Sequence, residues 1–318
     1  MRAVGVTRFG GPEELRVLDV PAEPLGAGEV RVRVRAAAVN PTDTTLISGA
    51  FADGDRPASG VAVPGMDVAG FITEVGPGSP ARLRPGARVM AIVAPSGAHG
   101  GYRDELVLPA GSVTAVPAGD SDAEASTLPM NGLTARRALD LLRLQPGQAL
   151  AVTGAAGAFG GYLVQLARHE GLTVIADASP ADRQLVKELG ADIVVDRGPG
   201  VAAQIRSYFP DGVDGLADGS AQGAVAVPAV RDGGVFVNLR FGYQGDGRRG
   251  ITVSQVLVLE YAKNWGENWA KLDALRELAE QGVLTRRVAG TLPLEQAAEA
   301  HRRLAAGGTR GRLVLLPG

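Results

Sequence analysis

The chain contains no cysteine among its 318 residues. Disulfides, a thiolate nucleophile and any cysteine-ligated metal are therefore excluded from the outset. Histidine is almost as scarce. His99, His169 and His301 lie far apart, and their surroundings predict surface or half-buried positions. Aromatic residues make up 4% of the chain, and Lys187, Lys263 and Lys271 are its only lysines, so positive charge rests almost wholly on arginine. No apolar run approaches the ~18 residues that suggest a membrane span. The first residues alternate as a strand does and lack the apolar centre of a signal peptide, so the expectation is a cytoplasmic protein with no membrane partner. A formal net charge of −2 offers no basic surface to nucleic acid.

Small and apolar residues are abundant, with 45 glycines and 45% hydrophobic content. The length is sufficient for two domains with sizeable cores. The first ~120 residues read as short strands separated by Gly/Pro turns, at 15–20, 30–35, 68–75, 88–93, 105–108 and 113–116. Val30-Arg-Val-Arg-Val-Arg35 alternates with period two, giving one apolar and one solvated face. This predicts an antiparallel, partly closed barrel. Helical segments follow over 121–144, interrupted by Pro129-Met-Asn-Gly132. Strand and helix then alternate, with strands at 149–153, 172–177, 193–195, 213–217 and 235–239 and helices at 160–170, 181–189, 201–208 and 221–230. Apolar strands alternating with helices predict a parallel, doubly wound sheet covered on both faces. A helix at 265–281, another near 295–305 and a strand at 312–316 complete the chain.

The most informative stretch is Gly154-Ala-Ala-Gly157-Ala-Phe-Gly160, set between an apolar strand and an amphipathic helix. That order brings backbone N–H groups and a helix N-terminus to a pyrophosphate, with glycine or alanine wherever a larger side chain would block it. It predicts a bound dinucleotide, a nicotinamide cofactor above all.

Several further blocks stand in a familiar order: Phe9-Gly-Gly-Pro-Glu-Glu-Leu15, Ala36-Ala-Ala-Val-Asn-Pro-Thr-Asp43, Val63-Pro-Gly-Met-Asp-Val-Ala-Gly70, Gly132-Leu-Thr-Ala135 and Leu189-Gly-Ala-Asp192. With the glycine loop they make the chain resemble the medium-chain dehydrogenase/reductase superfamily, and within it the zinc-independent, ζ-crystallin-like quinone oxidoreductases. The resemblance covers essentially the whole length. It implies a Rossmann nucleotide domain over 123–263 and a mostly antiparallel, β-barrel-like (GroES-like) substrate domain over 1–122 and 264–318. The zinc alcohol dehydrogenases of the superfamily carry a cysteine at the position of Asn40 and Gly-His-Glu at Gly65-Met66-Asp67. Here neither thiolate nor imidazole is present, so the resemblance implies no zinc. Without a Lewis acid, a conjugated acceptor is a better hydride acceptor than a simple alcohol.

For the cofactor, Asp177 lies near the place where an acidic residue bonds the ribose hydroxyls and keeps NADH open. Alignment on Val174-Ile-Ala176 puts the family's acidic position at Ala178 instead. Ser179, Arg183 and Arg197 fall where the family holds a 2′-phosphate, so NADPH is expected. The resemblance also implies that Ala156, Gly157, Ala158 and Phe159 line the pyrophosphate beside Gly154. Asn238, Leu239 and Phe241 would approach the nicotinamide, with Asn40 and Thr134 beside it and its ribose.

The expected activity is hydride transfer from NADPH to a quinone or α,β-unsaturated carbonyl in a cleft between the domains. Asn40, Thr134, Asp67 and Tyr243 are the catalytic candidates. Asp67 sits in an apolar strand, as a structural carboxylate or an acid with a raised pKa. Asp43 reads as an N-cap for the turn over 44–47. Where many relatives have an active-site tyrosine, this chain has Thr45. That leaves Tyr243, in a glycine-rich loop, as the replacement, or water as the proton source. The same departure supports the alternative of a cofactor-binding protein with little activity, crystallin-like or a redox sensor. The β-branched stretch 250–259 is a candidate edge strand for a homodimer.

Overall fold

The computed structural model describes every residue except Phe51, Arg240, Phe241, Gly242 and Asp246, and every remaining side chain except those of Tyr261, Ala262, Lys263 and Trp265. It divides into two compact units: residues 1–130, 259–281 and 286–318, and residues 131–258 with 282–285.

In the first unit β1 (Arg2–Gly5) pairs antiparallel with β2 (Arg16–Asp19). The long β3 (Glu29–Ala38) leads through Asn40 into the short helix α1 (Pro41–Ile47). Then follow β4 (Asp67–Val75), β5 (Arg88–Ile92), β6 (Glu105–Pro109), β7 (Val113–Ala115) and the helix α2 (Asp122–Ser126). Val30, Val32 and Val34 are buried while Arg33 and Arg35 are exposed, as the alternation of β3 requires. α3 (Pro129–Leu142) crosses the division between the units. Pro129-Met-Asn-Gly132 does not interrupt it. Pro129 is its first residue, where a missing N–H costs nothing.

The second unit holds β8 (Ala149–Thr153), α4 (Ala158–His169), β9 (Thr173–Ala178), α5 (Arg183–Glu188), β10 (Ile193–Asp196), α6 (Val201–Tyr208), β11 (Val213–Asp218), β12 (Val230–Asn238) and β13 (Thr252–Gln255). All six strands are parallel, in the order β10-β9-β8-β11-β12-β13. Numbered within the unit this is 3-2-1-4-5-6, the doubly wound nucleotide-binding order. Its direction reverses between β8 and β11, and ligands bind beyond the carboxyl ends of strands at such a point. The helix expected over 221–230 is instead two short 3₁₀ turns, Gly223–Val225 and Val227–Ala229. Positive φ at Ala221 and Gly223, with Pro228 beyond, prevents a continuous helix.

The chain returns to the first unit with α7 (Trp265–Glu280), β14 (Val288–Pro293), α8 (Ala297–Ala306) and β15 (Arg312–Leu316). β14 pairs parallel with β15, and β15 antiparallel with β3, in a mostly antiparallel sheet of order β14-β15-β3-β4-β5-β7, with β6 on β3. Within this unit β3 and β15 bring residues near 40 close to residues near 313, and α8 packs on β14 and β15.

Candidate functional site

β8 ends at Thr153, and the chain turns at once through Gly154, whose φ of +71° strains any residue with a side chain. A Cβ on Gly160 would lie 2.3 Å from the Gly154 carbonyl oxygen, so α4 packs on the loop only with glycine there. Gly157 is the N-cap of α4 and brings no capping side chain of its own. Ala158 and Phe159 form the buried first turn, with Ala156 half-buried just before it. A helix N-terminus at a switch point, approached through glycine and alanine, fits a pyrophosphate. Gly154, Ala156, Gly157, Ala158 and Phe159 therefore form one cradle.

Asp177 does not present its carboxylate as a ribose ligand would. Its Oδ1 accepts hydrogen bonds from the N–H of Gly154 at 2.6 Å and Ala155 at 3.4 Å. Its Oδ2 accepts from Gln222 Nε2 at 3.2 Å. The residue is 1% exposed, and burial raises its pKa against the pull of these bonds. The side chain that kept NADH open thus lies under the glycine loop.

The three residues expected at a 2′-phosphate gather at the carboxyl ends of β9 and β10, where Ala178 and Asp196 stand in register. Ser179 Oγ donates to Asp182 at 2.6 Å. Arg183 pairs with Asp196 at 2.6 Å on the surface. Arg197 is exposed and makes no side-chain hydrogen bond or ion pair among the described residues. Two of the three are already engaged, and Arg197 is the cation left for an anion.

Asn238, at the end of β12, turns its amide to its own unit. Nδ2 donates to the carbonyls of Tyr243 at 3.3 Å and Ser254 at 3.4 Å, holding the following loop and β13. Leu239 is half-buried, and its N–H bonds the Asp218 carbonyl at 3.4 Å. Phe241 lies outside the described residues. The Tyr243 ring packs edge-on against Phe236, with centroids 5.5 Å apart, in the nucleotide unit's apolar cluster. Thr134 is buried on α3.

In the β-rich unit Asn40 and Asp67 come together. Asn40 Nδ2 donates to Asp67 Oδ2 at 2.7 Å, and Asp67 Oδ1 accepts the Met130 N–H at 2.6 Å. Asp67 is fully buried, and desolvation pushes its pKa up to about 7 despite both bonds. Asp43 is not the N-cap of its helix. Asn40 is, and Asp43 three residues later returns a bond to the Asn40 N–H at 2.8 Å. Asp43 also accepts from Gly65 N–H at 2.9 Å and Tyr102 Oη at 3.3 Å, and burial raises its pKa to about 6.

His301 is fully buried, contrary to the surface or half-buried position expected of it. Its Nε2 meets Tyr102 Oη at 3.1 Å and its Nδ1 meets Thr44 Oγ1 at 2.9 Å. Burial lowers its pKa to about 4, so it is neutral near pH 7. Because Tyr102 donates to Asp43, its oxygen accepts from Nε2–H, and the Thr44 hydroxyl donates to Nδ1. Tyr102, His301 and Thr44 escaped the sequence reading, which has no periodicity linking positions 44, 102 and 301. Gln222 and Asp218 escaped it as well, although Asp218 ends a strand at the switch point, a place worth searching.

A zinc ion does not fit the positions of Asn40, Met66 and Asp67. Of the three only Asp67 is a customary zinc ligand, and its two oxygens accept from Asn40 Nδ2 and the Met130 N–H. Thr45, where many relatives have tyrosine, bonds the Pro41 carbonyl at 3.2 Å.

Residues 26–118 match the alcohol dehydrogenase GroES-like domain family, and residues 189–315 match the zinc-binding dehydrogenase family. The pikromycin polyketide synthase component PikAII of Streptomyces venezuelae is 37% identical over 171 residues, 54% of this chain and 4% of that protein. The chain thus spans only a small part of this relative. A 2-methylene-furan-3-one reductase of Solanum lycopersicum is 30% identical over 263 residues, 80% of this chain and 66% of the reductase. A mycobacterial protein solved in complex with NADPH superposes with a TM-score of 0.86 at 27% identity, covering 100% of both chains. Loop, strand order and relatives agree: the chain belongs to the medium-chain dehydrogenase/reductase superfamily.

Proposed function

We propose that the chain is an NADPH-dependent, zinc-independent reductase of quinones or α,β-unsaturated carbonyls. The observation that carries this reading is the glycine cradle leading into the N-terminus of α4 at the switch point between β8 and β11. When bound, a reduced nicotinamide supplies a hydride to a quinone ring or to the β-carbon of an enone, and water supplies the balancing proton. The protein's own part is to bind and hold. The first turn of α4 faces the pyrophosphate charge with backbone N–H groups. Arg197 offers a cation to a 2′-phosphate, and Arg183 offers a second once it parts from Asp196.

The NADPH complex of a structural neighbour and the reductase name of a curated relative support cofactor and reaction class. The engagement of Asn40 and Asp67 with each other supports a reaction without zinc. Their tight pairing gives them a structural part in it. The test is oxidation of NADPH and NADH, followed by absorbance, against a panel of quinones and enones in chelator-treated enzyme. Turnover with NADPH that survives chelation is expected. Turnover that appears only when zinc is restored, or none with any acceptor, would overturn the reading.

A further inference from the structure

The contacts of Asp177 form part of a closed circuit around Gly154. Thr153 Oγ1 donates to Asp218 Oδ1 at 2.7 Å, tying the last residues of β8 and β11, which also stand in register. Asp218 accepts from the N–H of Ser220 at 3.1 Å and Gly223 at 2.7 Å, which fixes the loop leaving β11. From that loop Gln222 Nε2 reaches Ser220 Oγ at 2.9 Å and Asp177 Oδ2 at 3.2 Å. Asp177 closes the circuit on the Gly154 N–H at 2.6 Å. Asp177 and Asp218 are each 1% exposed, so these bonds are shielded from competing water.

We infer that Asp177, with Gln222 and Asp218, is a positioning residue that presets the glycine loop for the pyrophosphate of either dinucleotide, and that it does not choose between NADPH and NADH. A carboxylate bonding the ribose hydroxyls would favour NADH and repel the 2′-phosphate. One spent on the Gly154 and Ala155 amides acts on the part that the two cofactors share. The inference rests on the proposed dinucleotide reading and adds a role for a residue outside the cradle.

The test is calorimetric titration of wild-type, Asp177→Ala, Asp177→Asn and Gln222→Ala proteins with NADPH, NADH and ADP-ribose, with folding checked by circular dichroism. Asp177→Ala is expected to weaken all three ligands by the same factor, tenfold or more, leaving the NADPH/NADH affinity ratio unchanged. Asp177→Asn keeps one acceptor oxygen for Gly154. A flip of the Gln222 amide lets its oxygen accept from the new amide, so this variant should recover most of the affinity. Gln222→Ala, which leaves the Gly154 bond intact, should show a smaller common loss and keeps the test open if Asp177→Ala does not fold. A selective loss of NADH would make Asp177 a ribose ligand, and unchanged affinities would remove it from the loop's support. Either result overturns the inference while leaving the reductase reading in place. Failure of the wild-type protein to bind any of the three would instead overturn that reading.

Discussion

In the nucleotide unit, Asp177 and Asp218 lie at the carboxyl ends of the strands on either side of β8; Asp177 accepts the amides of the loop leaving β8, and Asp218 those of the loop leaving β11. In the β-rich unit, Asp43 and Asp67 are as deeply buried, but their partners come from five stretches of chain: Asn40, Gly65, Tyr102, Met130 and, through Tyr102, His301. The first pair supports the glycine loop proposed as the cofactor cradle. The second pair has no strand-end cradle to shape and ties α1, β4 and α8 into one polar core. Buried carboxylates satisfied by backbone amides thus support a glycine loop in one unit and the packing of a sheet in the other.

The largest effect should come from filling the cradle. Gly160→Val places side-chain carbon where even a Cβ would be 2.3 Å from the Gly154 oxygen. An overpacking penalty of about 1–3 kcal/mol or more falls on the loop itself. NADPH affinity should fall by about two orders of magnitude or beyond measurement, with the β-rich unit intact by circular dichroism. Retained affinity would break the contrast between the two units.

The β-rich unit should respond in stability. His301→Gln disturbs the bonds to Tyr102 and Thr44, and a cost of about 1–3 kcal/mol is expected in urea unfolding at pH 7. Its pH dependence sharpens the contrast. Folded His301 titrates near 4, below its unfolded value of about 6.5. Its contribution is therefore intact above pH 6.5 and is lost as the pH falls toward 4. Asp43 and Asp67 titrate near 6 and 7 when folded, above their unfolded value of about 4. Their contribution is full below about pH 4 and shrinks as the pH rises through those values. The variant lacks only the histidine part, so its deficit against wild type should narrow from pH 7 to pH 5. A deficit that widens would mean that His301 is charged in the fold.

Smaller effects are expected at the ends of β9 and β10. Asp196→Asn frees Arg183 and removes a negative charge, so NADPH affinity should rise about threefold to tenfold while NADH affinity stays level. Arg197→Gln should lower NADPH affinity by a similar factor. Equal changes for both cofactors would place the 2′-phosphate elsewhere. The smallest effect should follow Tyr243→Phe, which preserves the ring contact with Phe236. Turnover within about twofold of wild type is expected with water as proton source, and a loss beyond tenfold would give the Tyr243 hydroxyl that role.

The same contrast explains what could be read from the sequence. The strand–glycine-loop–helix unit is legible because its parts are contiguous, and the strand-helix alternation predicts the parallel sheet that the structure shows. Local signals misled at Pro129, read as a break where it opens α3, and at 221–230, where Gly223 and Pro228 forbid the expected helix. Asp177 illustrates the limit of spacing: it lies near the expected ribose position, but its carboxylate turns under the loop. His301 is invisible in the sequence because its partners are 199 and 257 residues away, joined only by the folding of α8 onto β14 and β15.

Hydrogen exchange with and without NADPH tests most directly whether a dinucleotide rests on the glycine loop. Slowed exchange over residues 154–161, with little change over residues 40–47, is the expected result. Saturating NADPH that leaves residues 154–161 exchanging as in the free protein would contradict it.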